Sequence, residues 1–143
     1  MGILMRKQML FFFLLLCSRI AVAQDGVWVV ANVSEQNFAL TKAEVRNLFM
    51  RSTTSSNDAL IPVAMSPGNR SRAIFNTKII ALTESRIQSY WAQMRFSGRQ
   101  TPPIEFNSLD ALLEHVTNTE GAIGYVPAGT ALPENVKVVY RSF

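Results

Sequence analysis

The chain has 143 residues, of which 14 are basic and 10 are acidic, and Cys17 is its single cysteine. This length suits one compact domain with a modest core, and one cysteine excludes an intrachain disulfide. Three of the basic residues lie within the first 23 positions, so the formal charge falls from +4 for the whole chain to +1 for the remainder. A nearly neutral domain gives no support to a general role on nucleic acid or on membrane surfaces.

Residues 1–23 have the three parts of a secretory signal peptide. Arg6 and Lys7 form a basic start, residues 9–17 are an unbroken apolar run, and Ala21-Val22-Ala23 supplies the small residues that signal peptidase reads. The apolar run is shorter than the about 20 residues that an ordinary membrane-spanning helix needs. The segment is therefore predicted to direct export to the periplasm and to be removed.

Cleavage after Ala23 would leave a mature chain of residues 24–143, which the sequence predicts to be a single domain without a transmembrane segment. Lipidation of Cys17 is the alternative. The residue before a lipidated cysteine is normally small, and Leu16 is not. Ordinary cleavage is the better match, and it removes the only cysteine and leaves folding to packing alone.

The pattern of apolar residues in the mature chain predicts alternating strands and helices. β-branched runs indicate buried strands, and apolar residues spaced three and four apart indicate helices. The predicted elements are, in chain order, a strand over residues 27–33, a helix opened by a capping box of Thr41 and Glu44, a loop over residues 51–58, a strand over 60–65, helices over 70–82 and 84–96, a short helix capped by Ser108, and strands over 121–126 and 136–140. The fold class is therefore α/β, with a small mixed sheet flanked by helices.

Four residues make specific predictions within these elements. Pro62 lacks a backbone N–H, which indicates an edge position or a β-bulge for the second strand. Gly98 follows the helix over residues 84–96 at the position where a left-handed glycine is typical. Gly121 and Gly124 would allow another segment to approach their strand closely.

The residues that could carry catalysis are few. His115 is the only histidine, and its place on a helix beside Leu112 and Val116 predicts a surface or half-buried side chain. No group of His, Asp and Glu has metal-ligand spacing, and there is no Gly-x-Ser-x-Gly elbow and no Walker-type phosphate loop. The sequence therefore predicts a non-enzymatic protein with no metal or other cofactor.

The segment from Ser66 to Arg72 is the best candidate for a binding site. It joins a predicted strand to a helix N-terminus, where free N–H groups and the helix dipole attract anions. Ser66, Asn69 and Ser71 add hydrogen-bonding groups, and Arg70 and Arg72 add guanidinium groups suited to phosphate or carboxylate. The alternative is that Ser66 or Asn69 only caps the helix and that both arginines are solvated.

Arg99 is a further candidate for the same site. It follows Gly98 and precedes Pro102-Pro103, so it stands on a stiff loop that is expected to border the anion-binding turn. Tyr90 and Trp91, upstream of this loop, fit a helical apolar stripe, which assigns them to the core.

Several motifs, taken in their order along the chain, resemble those of a known family. They are Val27-Trp-Val-Val-Ala-Asn32, Leu40 to Phe49, Ile61-Pro-Val63, the Ser/Gly/Arg turn before Phe75, Tyr90-Trp91, Phe96-Ser-Gly-Arg99, Pro102-Pro103 and Gly121-Ala-Ile-Gly-Tyr125. This order resembles the phosphate-type periplasmic substrate-binding proteins of ABC transporters, and specifically their short bacterial relatives that retain about one lobe. The resemblance implies one lobe of a type 2 periplasmic-binding protein, phosphate or a related oxyanion as ligand, and an ABC permease as partner.

The ligand residues of that family carry over less well than the fold. The family has an arginine followed by a Ser-Gly-Thr turn shortly before a phenylalanine. Counted back from Phe75, the turn falls on Asn69, Arg70 and Ser71, and the arginine position falls on Met65. The second lobe has no counterpart, so an anion would stay half-solvated, where each exposed charge pair contributes about 0–1 kcal/mol. Two functions remain: weak oxyanion binding, and an accessory or structural role in which the lobe docks onto an envelope protein complex.

Overall fold

The computed structural model describes residues 25–51 and 59–143. The predicted signal peptide, its cleavage site and most of the predicted polar loop lie outside these residues. The described elements are, in chain order, β1 (Val27–Asn32), α1 (Lys42–Phe49), β2 (Ile61–Met65), α2 (Arg70–Phe75), α3 (Glu84–Phe96), β3 (Ile104–Phe106), α4 (Leu109–Asn118), β4 (Ala122–Pro127) and β5 (Val136–Ser142). Helix α2 continues directly into a π-helical segment, Asn76–Ile80.

The five strands form one mixed sheet in the order β3-β2-β4-β1-β5. β2 pairs in parallel with both β3 and β4, whereas β1 pairs antiparallel with β4 and β5. Parallel neighbours require crossover connections, and α2, α3 and α4 occupy these connections. The predicted fold class, α/β with a small mixed sheet flanked by helices, is confirmed.

The core is centred on β4 and on the helices that cover it. β4 is buried from Ala122 to Val126. The ring of Tyr125 stacks on Phe75 of α2 with centroids 4.1 Å apart, and Phe75 contacts Phe49 of α1 with centroids 4.7 Å apart. These three aromatic rings therefore fix α1 and α2 against one strand.

The position of β2 corrects the prediction made from Pro62. β2 lies inside the sheet, between β3 and β4, and not at its edge. Its first residue, Ile61, donates its N–H to Gly121 O on the β4 side at 2.8 Å. The nitrogen of the next residue, Pro62, points to the opposite side, where β3 pairs with β2 only from Val63 onward. Proline is tolerated here because β3 offers no hydrogen-bond acceptor opposite Pro62, so its missing N–H leaves no bond unmade.

The predicted helix over residues 70–82 begins at the expected residue but changes its winding. From Asn76 the hydrogen bonds span five residues, and Ala81 N–H donates to Asn76 O at 2.7 Å. Ala81 is left-handed, with φ of 58°, and ends the helix. Arg46 Nε donates to Ile80 O at 2.9 Å, so a carbonyl at this irregular end has a partner. A π-helical turn of this kind is frequent beside functional sites.

The predicted start of α1 and the predicted end of α3 are confirmed. Thr41 and Glu44 form both hydrogen bonds of a capping box at the start of α1. At the end of α3, Gly98 has φ of 68°, and Arg99 N–H donates to Met94 O at 3.1 Å, as a left-handed glycine cap requires. β3 was not predicted, since it has three residues and two of them, Ile104 and Glu105, are exposed.

Close approach at Gly121 gives a testable prediction. Its φ is +80°, and a Cβ placed on it would lie 2.8 Å from Ala59 O. Gly121→Ala is therefore expected to lower the free energy of unfolding by about 3 kcal/mol, from the left-handed conformation and the clash together. Urea denaturation followed by circular dichroism measures the loss.

Gly129 offers the matched control. Its φ is +86°, but a Cβ there would meet no heavy atom of the described residues within 4 Å. Gly129→Ala should cost only the conformational term of about 1–2 kcal/mol. Equal losses at both glycines would contradict a close approach at Gly121.

Candidate functional site

The turn after β2 is held by its own hydrogen bonds. Asn69 N–H donates to Ser66 O at 3.2 Å, and Gly68 adopts the left-handed φ of 89° that closes the turn. Asn69 Oδ1 then accepts from the backbone N–H groups of Ser71 and Arg72, at 2.9 and 3.3 Å. Asn69 therefore caps α2, and two of the N–H groups that an anion would use already have a partner.

Ser66 ties this turn to the end of β3. Its backbone N–H donates to Phe106 O at 2.9 Å, and its hydroxyl donates to Asn107 Oδ1 at 2.6 Å. The Ser66 side chain thus has an intramolecular role, although it stays partly accessible. Ser71, by contrast, is buried.

Arg72 is the most constrained of the predicted site residues. Only 6% of its surface is exposed. Its Nε and Nη2 atoms form a bidentate pair with Glu84, at 2.9 and 2.6 Å. Its Nη1 atom donates to Met65 O at 2.7 Å and to Glu105 at 2.9 Å. Arg72 therefore joins α2 to the first turn of α3, to the end of β2 and to β3.

The electrostatics agree with a permanent ion pair. Burial alone would lower the pKa of Arg72, but the hydrogen bonds and charge of Glu84 outweigh it, so the pKa lies above its ordinary value. The hydrogen bond from Arg72 lowers the pKa of Glu84, and Asn76 Nδ2 adds a further bond to this carboxylate at 2.8 Å. With two carboxylates against one guanidinium, Arg72 offers little net positive charge to an external anion.

Arg70 has the opposite environment. Its side chain is 76% exposed, and it forms a surface ion pair with Asp25. It borders two depressions beside α2. One of about 310 Å³ also contains Gly68, Asn69 and Glu84, and the other of about 290 Å³ also contains Asp25, Thr77 and Lys78. Arg70 and Arg72, two residues apart in the first turn of α2, thus diverge, Arg72 into the protein and Arg70 into solvent.

Arg99 is not brought to this turn. It is exposed on the loop after α3, where its backbone N–H takes part in the helix cap, and it lines neither depression beside α2. The prediction placed it at the border of the anion-binding turn. Of the predicted residues, Arg70 is the one that presents a charged group to solvent beside the turn.

A more apolar cavity lies on the other side of Arg72, and sequence reasoning missed it. This α3 pocket, of about 310 Å³, lies between α3 and the sheet. Its apolar wall includes Phe75, Ile80, Ile87, Trp91, Pro103 and Tyr125, and its polar groups include Arg72, Arg95 and Glu105. The pocket could not be predicted from a local pattern, since the residues that line it belong to six different segments of the chain.

The base of the α3 pocket is polar at one point. Tyr125 is 1% exposed, and its hydroxyl oxygen accepts a hydrogen bond from Met65 N–H at 3.1 Å. Burial raises the pKa of Tyr125 well above its ordinary value, so the phenol stays protonated.

His115, which the sequence predicted to be a surface or half-buried residue, is half-buried, and the centroid of its ring lies 5.1 Å from that of Phe106.

The described residues contain neither a cluster suited to a metal ion nor a helix suited to crossing a membrane. Across residues 25–51 and 59–143, no group of three or more His, Cys, Asp and Glu side chains is arranged to hold a metal ion. No helix in these same ranges combines the length and apolar character needed to cross a membrane.

The five-stranded mixed sheet and the helices that cover it match one lobe of a periplasmic-binding-protein fold. Among solved structures, the fold matches the crystal structure of an ABC-type phosphate transport receptor from Vibrio cholerae with a TM-score of 0.57. The match covers 80% of this chain and 45% of that receptor, at 16% sequence identity. The resemblance inferred from the sequence motifs is thereby confirmed for the fold, and this chain spans less than half the length of the receptor. No protein-family model and no curated protein matches the sequence.

Proposed function

We propose that the chain is an exported, non-enzymatic binding module of the transport-receptor kind, and that it binds phosphate or a related oxyanion weakly beside Arg70. The observation that carries this proposal is the fold, which is similar to one lobe of a phosphate transport receptor. An ABC permease is the corresponding protein partner. Because a fold does not establish a function, the ligand has to be tested at the residue that would contact it.

Arg70 is the residue that we assign to anion contact. Its ion pair with Asp25 is exposed, and such pairs contribute only about 0–1 kcal/mol, so an incoming oxyanion can displace the carboxylate. Lys78 lines the same depression and adds a second cation. The guanidinium fork suits two oxygens of phosphate.

Arg72 supports this site without contacting the anion. Its guanidinium holds the end of β2 to α2 and α3, and this fixes the turn on which Arg70 stands. Since the N–H groups of Ser71 and Arg72 already donate to Asn69, binding relies mainly on exposed side chains. The proposed affinity is therefore low and falls as salt is added.

The proposal predicts that phosphate stabilises the protein through Arg70. At a phosphate concentration ten times the Kd, binding adds about 1.4 kcal/mol to the free energy of unfolding. The expected rise in Tm is roughly 4–6 °C for a domain of this size. Differential scanning calorimetry in tens of millimolar phosphate, against sodium chloride of equal ionic strength, measures it. Arg70→Ala should abolish the rise.

Arg86→Ala is the matched control, because Arg86 is also exposed but lies in the first turn of α3. It should keep the phosphate effect. No rise in Tm in the unmodified protein, or the same rise in sodium chloride, would refute oxyanion binding. A rise that survives in Arg70→Ala would refute the assigned residue.

Docking onto an envelope protein complex is the second candidate function. The observation that favours it is that most polar groups of the turn have intramolecular partners, Asn69 as a helix cap and Arg72 in its ion pairs. Under this candidate, phosphate leaves the Tm of both the unmodified protein and Arg70→Ala unchanged. The calorimetric experiment therefore separates the two candidates.

A further inference from the structure

The α3 pocket has the size and the lining of a small-molecule site. Its volume of about 310 Å³ lies at the lower end of the range that is usual for ligand cavities, roughly 300–1,000 Å³. Since an apolar cavity of about 150 Å³ is sufficient to bind benzene, this pocket has room for a ring with substituents. The nearly fully buried apolar residues that line it include Phe49, Phe75, Ile80, Ile87, Trp91 and Tyr125.

One end of the pocket is occupied by polar groups that already bind each other. Arg72 and Glu105 both line the pocket, and Arg72 Nη1 donates to Glu105 Oε1 at 2.9 Å. The other hydrogen bonds of Arg72 go to Glu84, in the first turn of α3, and to Met65 O. With two carboxylates around one guanidinium, this end has no positive charge to offer, and it disfavours an anionic group.

Arg95 lies near the opposite end of α3. It follows Glu84 by 11 residues, which is about 16 Å along the helix axis at a rise of about 1.5 Å per residue. Gln88 and Trp91 lie between them on the same face of the helix and also line the pocket. Arg95 is exposed, and no salt bridge to it is found among residues 25–51 and 59–143. The pocket therefore combines an apolar middle with a cation at the end away from the carboxylates.

We propose that the α3 pocket binds a small apolar molecule with one anionic group, its apolar part against Ile87 and Trp91 and its anionic group at Arg95. The polar lining residues define this charge. A cationic ligand would meet an arginine at either end, and a second anionic group would meet Glu105. Burial of the apolar part supplies most of the affinity, because Arg95 is exposed and its charge is screened by solvent.

Two dyes with the same apolar skeleton test the charge of the ligand. Anilinonaphthalenesulfonate (ANS) carries one sulfonate group, and phenylnaphthylamine (NPN) has the same aromatic ring systems without it. Protein purified from cells that express the full chain is titrated with each dye, and the dye fluorescence gives the two dissociation constants. Both dyes are expected to bind, and only the affinity for ANS should fall as sodium chloride is added.

Arg95→Gln removes the proposed contact with the anionic group. It should weaken the binding of ANS about three- to fivefold, which is the effect of one exposed charge pair, and change the affinity for NPN by less than about twofold. Arg86→Gln is the matched control, since Arg86 is exposed on the same helix but does not line the pocket. It should leave both affinities unchanged.

NMR of the indole N–H groups shows whether the dyes occupy this pocket. The chain has two tryptophans, of which Trp91 lines the pocket and Trp28 does not. Trp28 pairs with Val126 across β1 and β4, so its side chain lies on the face of the sheet opposite to Tyr125. Both dyes should shift the signal of Trp91 and leave that of Trp28 in place, and Trp28→Phe assigns the two signals.

The proposal fails in either of two ways. If the folded protein binds neither dye, or if the signal of Trp91 does not move, the α3 pocket is not a ligand site. If Arg95→Gln weakens both dyes equally, or neither, Arg95 is not the contact for an anionic group. The result is independent of the proposed oxyanion site, because Arg70 does not line this pocket and Arg70→Ala should leave the binding of ANS unchanged.

Discussion

Replacement of Arg72 by methionine is expected to lower the free energy of unfolding by about 2–4 kcal/mol, because it removes a buried guanidinium with its hydrogen bonds and leaves two carboxylates, each 38% exposed, without their cation. Methionine retains much of the side-chain length, so packing changes little. Glu84 loses its bidentate partner, Glu105 loses one bond and the carbonyl of Met65 loses its donor. Urea denaturation followed by circular dichroism at neutral pH measures the loss.

Arg70→Met is the control for this prediction, since it removes the neighbouring arginine of the same turn. The side chain of Arg70 is 76% exposed, and its ion pair with Asp25 is on the surface. The expected loss is about 0–1 kcal/mol. If the two variants lost equal stability, Arg72 would not be the residue that joins α2 to α3 and β3.

The acid dependence of stability gives a second readout of the Arg72–Glu84 pair. Because the folded-state pKa of Glu84 lies below its ordinary value, the pair contributes fully at neutral pH. As the pH falls below about 4.3, the unfolded chain takes up the proton first, and the contribution disappears as the pH passes the folded-state pKa. In Arg72→Met this part of the acid dependence should be reduced. An unchanged acid profile would contradict the assigned cause.

Truncation of Phe75 to alanine is expected to cost about 3–5 kcal/mol. Phe75 is 2% exposed, its ring stacks on Tyr125 at 4.1 Å, and it contacts Phe49 at 4.7 Å. It also lines the α3 pocket, so the space left by the ring would merge with an existing cavity. Thermal and urea denaturation both measure the effect.

Phe143→Ala, which removes a ring that is 79% exposed, should change stability by less than about 0.5 kcal/mol. A loss below about 1 kcal/mol in Phe75→Ala would mean that the neighbouring helices collapse into the space. In that case Phe49, Phe75 and Tyr125 would not form the rigid centre of this fold.

Much of the local structure could be predicted because it depends on neighbours in sequence. The capping box of Thr41 and Glu44 lies within four residues, and the glycine cap at Gly98 needs only the preceding turn of helix. β3 could not be predicted, because a three-residue strand with exposed side chains has no alternating pattern. The prediction from Pro62 was right that its position lacks a hydrogen-bond partner, but wrong that β2 lies at the edge of the sheet. β2 is an inner strand, but the neighbouring strand β3 pairs with it only from Val63 onward and is absent at Pro62.

The candidate site was predicted only in part. The turn from Ser66 to Asn69 and the helix that follows it are where the pattern placed them. The sequence pattern led to the same prediction for Arg70 and Arg72, whereas the structure places them in opposite environments. Arg72 finds its partners 12 and 33 residues further along the chain, in Glu84 and Glu105. No local pattern marks such partners.

The sequence by itself determined the alternation of most strands and helices, the helix caps at Thr41 and Gly98 and, through its ordered motifs, the single-lobe fold. These features depend on apolar periodicity, on capping groups and on backbone preferences, all of which act within a few residues. Only the tertiary structure decided which arginine is available to a ligand and which is held inside, and it alone assembled the α3 pocket from distant segments. Whether a charged side chain is buried and paired depends on which side chains come into contact across the fold. Residues that are in contact in space can lie far apart in sequence, so no local pattern predicts these contacts.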